Sequence, residues 1–299
     1  MFILNTIYDI IYSVKKQGER IKNRERLNKA LISSKDLSVK IFCAKLINMT
    51  ESKTKKLEIK LDPEEMMEAG LHFGHKTSKI HPKIKPYLYG ARNGVYIFDL
   101  EKTAEKFKEA LTFIKSLISD GKIMVLVGTK IQIKALVEGV GKEVNIPYVN
   151  DRWLGGAITN FSMIKKSIDH LKELEEKRDS GELAKYTKKE RAGFDKEIKD
   201  LERKFGGIKD LKTIPDAIFV LDMEKDLLAI KEAKLKGITV LGLADTNINP
   251  TLADYPIPAN DDAISSVKYI LDRVKEVVVK SRPKEVKESK ETEEVKKEK

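Results

Sequence analysis

Three apolar runs constrain the fold more than anything else in the chain: KIMVLVGTK (122–130), DAIFVLD (216–222) and ITVLGLAD (238–245). None alternates apolar with polar residues, so each reads as a strand buried on both faces. Around them the apolar spacing changes to three and four. LEKTAEKFKEALTFIKSLISDG (100–121) is an amphipathic helix ending at Gly121, and helices follow over 131–143, 224–236 and about 262–280. A short strand at 147–150 and the segment PIPAN at 256–260 extend the alternation. Continuous strands separated by helices build a parallel sheet with helices on both faces, an α/β fold.

Two further pieces attach to that sheet. LDPEEMMEAG (61–70) is a short helix with Asp62 as N-cap, Pro63 at its first position and Gly70 closing it. PYLYGARNGVYIF (86–98) reads as a hairpin turning near Asn93-Gly94. Between the two halves of the alternation, Phe161, Ile164, Ile168 and Leu171 step by three and four, as do Phe194, Ile198, Leu201 and Phe205. That pattern is two antiparallel helices packed along a narrow apolar seam, a coiled-coil arm over 158–207 inserted between sheet segments 62–157 and 208–280. An arm of this kind serves to dock something.

The ends differ from the middle. Residues 1–50 form an N-terminal extension in which Ile3, Ile7, Ile10, Ile11 and Val14 are spaced as on a helix before a basic run, Lys15 to Arg26. Two readings compete: an amphipathic helix that touches a membrane surface or a partner, and a translation start at Met49, which the ordinary polar opening MTESKTKK favours. At the other end, residues 281–299 carry no aromatic residue and only Val as an apolar type, so they are expected to be a disordered charged tail. The lone Cys43 excludes a disulfide framework or thiolate zinc site and fits a reducing cytosol. No apolar run approaches the roughly 20 residues that span a bilayer.

The net charge of +11 favours a nucleic-acid or acidic partner over a neutral substrate. The charge has a focus. From Leu71 to Phe98 the chain carries Lys76, Lys79, Lys83, Lys85 and Arg92 without one Asp or Glu, interleaved with three His and five aromatic residues. Cations for phosphate, aromatic faces for bases and Gly and Pro to fix loops make this window a nucleic-acid surface; a solvated basic loop is the plainer alternative. His72, His75 and His81 invite a metal, but their spacing lacks a catalytic Glu and no Cys joins them, so they read as loop histidines.

Several strands end in polar residues: Gly128-Thr129-Lys130, Asp222 and Asp245-Thr246-Asn247. The carboxyl ends of parallel strands form the ligand crevice of open α/β sheets. A nucleotide- or sugar-phosphate-binding enzyme is therefore the alternative function, using Asp222 and Asp245. Against it, no phosphate loop, GxGxxG or nucleophile elbow is present, and both Asp residues serve equally to cap helices or tie loops. Finally, NDRWLGGAITNF (150–161) puts Arg152 beside the only Trp, Trp153, and before a Gly pair. That suits RNA docking and suits equally a core anchor with a turn into the arm; local chemistry leaves both open.

Taken in order, EAGLHFGHKTSKIHPKIKPYLYGARNGVYIFDLEKT (68–103), IMVLVGTK (123–130), YVNDRWLGGAITNF (148–161), 215–250 and YPIPANDDAISSVKYIL (255–271) resemble the bacterial small-subunit ribosomal protein S2 family over about 62–280. The resemblance implies a flavodoxin-like parallel sheet with an inserted helical-hairpin arm. It implies a structural role without catalytic residues, metal or cofactor, in the cytoplasm and bound to the ribosome. Its partners would be small-subunit ribosomal RNA and neighbouring ribosomal proteins, including the large multi-domain first protein, and no membrane. Carried over by motif, the RNA-facing candidates are Lys76, Lys79, Lys83, Lys85, Arg92, Asn93, Arg152 and Trp153. The chain departs from the family in residues 1–48 and in Ile248-Asn249, where a Cys-Asp or similar pair is usual.

Overall fold

The computed structural model describes residues 61–282; the expectations for residues 1–50 and for all but the first two residues of the tail lie outside them. Strand β4 (Met124–Val127) pairs in parallel with β5 (Tyr148–Val149) on one side and β6 (Ala217–Val220) on the other. Strands β7 (Thr239–Ala244) and β8 (Tyr255–Pro258) continue the sheet, in the order β5-β4-β6-β7-β8. This is the doubly wound, flavodoxin-like order, with its reversal between β4 and β6.

Both faces are covered. Helix α2 (Leu100–Ser119) packs on β8 and on α7 (Ile264–Ser281), α3 (Lys134–Glu143) packs on β4, β5 and α7, and α6 (Leu227–Leu235) packs on β6 and β7. Val125, Val127, Ile218, Val220 and Val240 share a core with Ala229, Ile230 and Ala233 of α6. Every residue of β4 and β6 is buried, as continuous apolar strands require. The expected helices over 131–143 and 224–236 start three residues later than their apolar pattern, because turns at 131–133 and 223–226 first carry the chain off the sheet.

The insertion consists of α4 (Phe161–Asp179) and α5 (Lys188–Phe205), which pack against each other. Ile168, Leu171, Leu174 and Ile198 form their seam, and through Phe205, Ile208 and Leu211 that seam is continuous with the sheet core. Helix α5 opens with a capping box between Thr187 and Glu190. The last helix α7 runs to Ser281, and the Arg282 guanidinium donates to the carbonyls of Val144 and Asn145, so the core extends two residues past its expected edge.

The amino-terminal part is helix α1 (Pro63–Glu68), capped by Asp62, followed by a second, antiparallel sheet. Its strands are β1 (Phe73–Lys76), β2 (Leu88–Arg92) and β3 (Val95–Phe98), in the order β1-β3-β2. Asn93 and Gly94 both have positive φ (52° and 75°), as a two-residue type I′ hairpin demands. This sheet docks on loops at the carboxyl ends of β7 and β8. The His75 N–H donates to Thr246 Oγ1 (3.0 Å), the His81 N–H to the Thr246 carbonyl (2.8 Å), and the Asn260 N–H to the Leu71 carbonyl (3.2 Å). A Cβ on Gly74 would lie 2.5 Å from Thr246 Cγ2, so only glycine permits this approach.

Candidate nucleic-acid interface

The β1–β3 sheet gathers the basic window. Lys76 and Arg92 both pair with Val95, from opposite sides of β3, so the two cations share the end of the sheet that carries the Asn93-Gly94 turn. The Lys79 N–H donates to the Lys76 carbonyl (2.8 Å), which folds Lys79 back to the same end. Lys83 and Lys85 stand on a 3-10 turn, Pro82–Tyr87, anchored by buried Ile84 and capped by His81, whose Nδ1 accepts from the Lys83 N–H (3.2 Å). All five cations and Asn93 are exposed, and no ion pair engages any of them among the described residues.

Arg152 is exposed too, but it follows β5, at the edge of the parallel sheet opposite the β7 and β8 loops. It is not part of the same cluster. Trp153 resolves in favour of the core: it is 6% exposed and its indole N–H points at Glu232 Oε1 (3.4 Å). A ring held there has no face to offer a base, so the interface rests on the other candidates.

Glu232 itself, on α6, is not marked as a special residue by its local sequence, where Lys231 and Lys234 alternate with apolar residues. Its carboxylate accepts from the backbone N–H groups of Gly156 (2.8 Å), Ile158 and Thr159 (both 3.1 Å), and from Thr159 Oγ1 (3.1 Å). Burial alone would raise its pKa; the N–H groups of Gly156, Thr159 and Ile158 outweigh that and hold it below the ordinary range. The WLGGAIT stretch is thus a loop wrapped around a carboxylate.

The crevice at the reversal between β4 and β6 is occupied by the protein's own charges. Lys130 Nζ meets Asp262 (2.7 Å), Asp261 (2.9 Å) and Asp222 (3.3 Å). Burial disfavours its charge, but those carboxylates hold its pKa above the ordinary range. Lys225 Nζ donates to the Thr129 carbonyl (2.8 Å) and Thr129 Oγ1 to Asp226 (2.9 Å). His75 reaches in from β1 to Asp245 (3.1 Å) and Asp262 (3.5 Å); the hydrogen bond to Asp245 raises its pKa. Burial pushes Asp226 up to about 6 and, with Asp245 and Asp222 beside it, Asp261 up to about 7.

Asp222 caps the turn before α6 by accepting from the Lys225 N–H (2.8 Å), and Asp245 accepts from the Thr246 and Asp261 N–H groups. Both aspartates therefore tie loops down. A cavity of about 660 Å³ lies elsewhere, between the start of α4 and residues 212–214. Among the described residues no His, Cys, Asp and Glu group is arranged to hold a metal ion, and no helix is long and apolar enough to cross a membrane.

Comparison with known proteins identifies the family. Residues 66–281 match the family described as Ribosomal protein S2. Small ribosomal subunit protein uS2 of Geotalea uraniireducens is 44% identical over 216 residues, 72% of this chain and 84% of that protein. The uS2 proteins of Coprothermobacter proteolyticus (41% over 219 residues) and Psychrobacter cryohalolentis (43% over 220) cover 73% and 74% of this chain and 82% and 83% of their own lengths. With that extent of match, and with a strand order that agrees, the chain belongs to the ribosomal protein S2 family, whose members are structural components of the small subunit and not enzymes.

Proposed function

We propose that the chain binds small-subunit ribosomal RNA through the β1–β3 sheet and helps a neighbouring ribosomal protein to dock, as part of the ribosome in the cytoplasm. One observation carries the RNA reading. Lys76, Lys79, Lys83, Lys85 and Arg92 stand exposed and free of ion pairs among the described residues, whereas Lys102, Lys106 and Arg273 are each paired with a carboxylate. Cations left without an ion pair, in a stretch of chain that carries no acid, gain most from phosphate, because each contact releases condensed counterions. The parallel sheet supplies rigidity: it fixes the small sheet through Gly74, His75 and His81, so the cations meet RNA in one orientation. Asn93 adds a polar contact at the turn of that sheet, Arg152 makes a separate contact from the far edge of the parallel sheet, and α4 and α5 form a projecting coiled-coil arm. The apolar side chains Met67, Phe73 and Ile264, all about half exposed near the junction of α1 with α7, suit a protein neighbour better than phosphate.

The test is the double substitution Lys83→Glu with Lys85→Glu. If about four cations meet phosphate, log affinity falls against log salt with a slope near −3 to −4, about a hundredfold loss between 50 and 200 mM. The double variant is expected to keep its fold, bind more weakly with a shallower slope and enter small subunits poorly. Normal incorporation on a sucrose gradient would reject the interface.

A further inference from the structure

The connection between α4 and α5 carries chemistry that the β1–β3 surface does not use. Over residues 180–194 the chain places Lys185, Lys188, Lys189 and Arg191 against only Glu182 and Glu190. The Glu190 carboxylate is exposed but engaged in the helix cap, accepting from the Thr187 N–H and Oγ1 (2.9 Å each), while Thr187 Oγ1 accepts from the Glu190 N–H (3.4 Å). The four cations are exposed and make no ion pair among the described residues. Along the adjoining second half of α4, from Asp169 to Asp179, acids outnumber bases, so the positive connection is set off from the stretch of helix beside it.

Lys188 and Lys189 are also the first two residues of α5. Aligned peptide dipoles make that end of a helix positive, where a cation is unfavourable and an acid favourable. A helix selected for stability alone would carry acids there. The capping box engages the Thr187 and Glu190 N–H groups, and the side-chain cations carry the full charges of the surface. Among them stands Tyr186, 47% exposed and held in place by an edge contact with Phe194 (centroids 5.2 Å apart, 71° between planes). A fixed, half-exposed aromatic ring flanked by unpaired cations is the arrangement on which an unpaired base stacks while its phosphates meet Lys and Arg.

We infer that the α4–α5 connection is a second RNA contact, taking an unpaired base on Tyr186 and the adjoining phosphates on Lys185, Lys188, Lys189 and Arg191. The inference rests on the chain being an RNA-binding protein. It is tested with the full chain and a fluorescently labelled transcript of small-subunit ribosomal RNA, by anisotropy at graded salt. Tyr186→Ala should weaken binding about tenfold, and Tyr186→Phe should bind as wild type, because stacking needs the ring and not the hydroxyl. Lys188→Glu with Lys189→Glu places acids where the helix dipole favours them, so the fold survives; the salt slope should become shallower by between one and two.

Wild-type affinity in both Tyr186→Ala and the charge swap, with weakened binding by Lys83→Glu/Lys85→Glu, would overturn the second contact and leave the first. No binding by the wild-type chain would overturn both. A charge-swap variant that binds RNA normally but loses a neighbouring protein from purified subunits would assign the connection to protein docking and overturn its RNA role.

Discussion

Replacing Glu232 tests whether the WLGGAIT loop owes its shape to one carboxylate. In Glu232→Ala the N–H of Ile158 and the indole N–H of Trp153, both buried, lose their acceptor. Each buried donor left unpaired costs about 1–3 kcal/mol, while Gly156 and Thr159 lie where water can replace the lost bond at smaller cost. The sum is about 4 kcal/mol, a large share of a typical stability of roughly 5–15 kcal/mol. With a urea slope of about 2 kcal/mol per molar, the unfolding midpoint should fall by about 2 M. Glu232→Gln keeps one acceptor oxygen but turns an NH₂ group toward donors on the other side, so about half the loss should remain. Trp153 is the only Trp in the chain, and its fluorescence reports the loop directly. Glu232→Ala should shift its emission to the red in native buffer. The pH dependence has a definite sign. The folded pKa is depressed, so the stabilisation is present above the unfolded value and is lost as pH falls through the folded one. An unchanged midpoint and unchanged emission in Glu232→Ala would refute the reasoning.

Gly74→Ala should push β1 off the β7 loop and cost about 1–3 kcal/mol by thermal melting, because its Cβ would sit 2.5 Å from Thr246 Cγ2. Adding Thr246→Ser removes that methyl, keeps the hydroxyl that accepts from the His75 N–H, and should recover most of the loss. Asp226 shifts stability the other way from Glu232. Its folded pKa of about 6 lies above its unfolded value, so its contribution falls as pH rises from about 4 to 7, by on the order of 2–3 kcal/mol. Asp226→Asn should flatten that part of the stability curve in urea titrations.

The strands and helices were legible because burial on both faces leaves a signature in every residue: β4 and β6 tolerate no polar side chain. Asn93-Gly94 was legible because only such a pair occupies two successive left-handed positions cheaply. Strand β1 was not. Its residues FGHK are exposed or half-exposed, and it becomes a strand only through pairing with β3 and docking on Thr246, 171 residues from His75. Glu232 escaped for the same reason. It stands between Lys231 and Ala233 like any charged residue of an amphipathic helix, and its donors come from a segment more than seventy residues earlier. Trp153 had two local readings, and the choice between them depended on that distant carboxylate.

The crevice follows the same logic and carries the functional consequence. A doubly wound sheet ordinarily leaves the carboxyl ends of its central strands open to a ligand at the point of reversal. Here Lys130 spans that point with three aspartates, Lys225 closes over Thr129, and His75 brings the small sheet down onto Asp245. The cations that could have held a phosphate, Lys130 and Lys225, are engaged by the protein itself, and the aspartates Asp245 and Asp262 hold the β1–β3 sheet through His75. If that exchange is the reason the crevice is charged, loosening it should move the basic surface and not unmask a nucleotide site. His75→Ala removes the contacts to Asp245 and Asp262 while leaving Lys76 and Lys79 in the chain. It should weaken RNA binding severalfold with an unchanged salt slope, since the number of cations is the same and only their fixed orientation is lost. The difference from wild type should narrow as pH rises through the folded pKa of His75, which the Asp245 hydrogen bond holds above its ordinary value, because the wild-type pairing is itself lost there. A His75→Ala chain that binds RNA as wild type but melts at higher temperature with added nucleotide would show that the charges guard a ligand site after all.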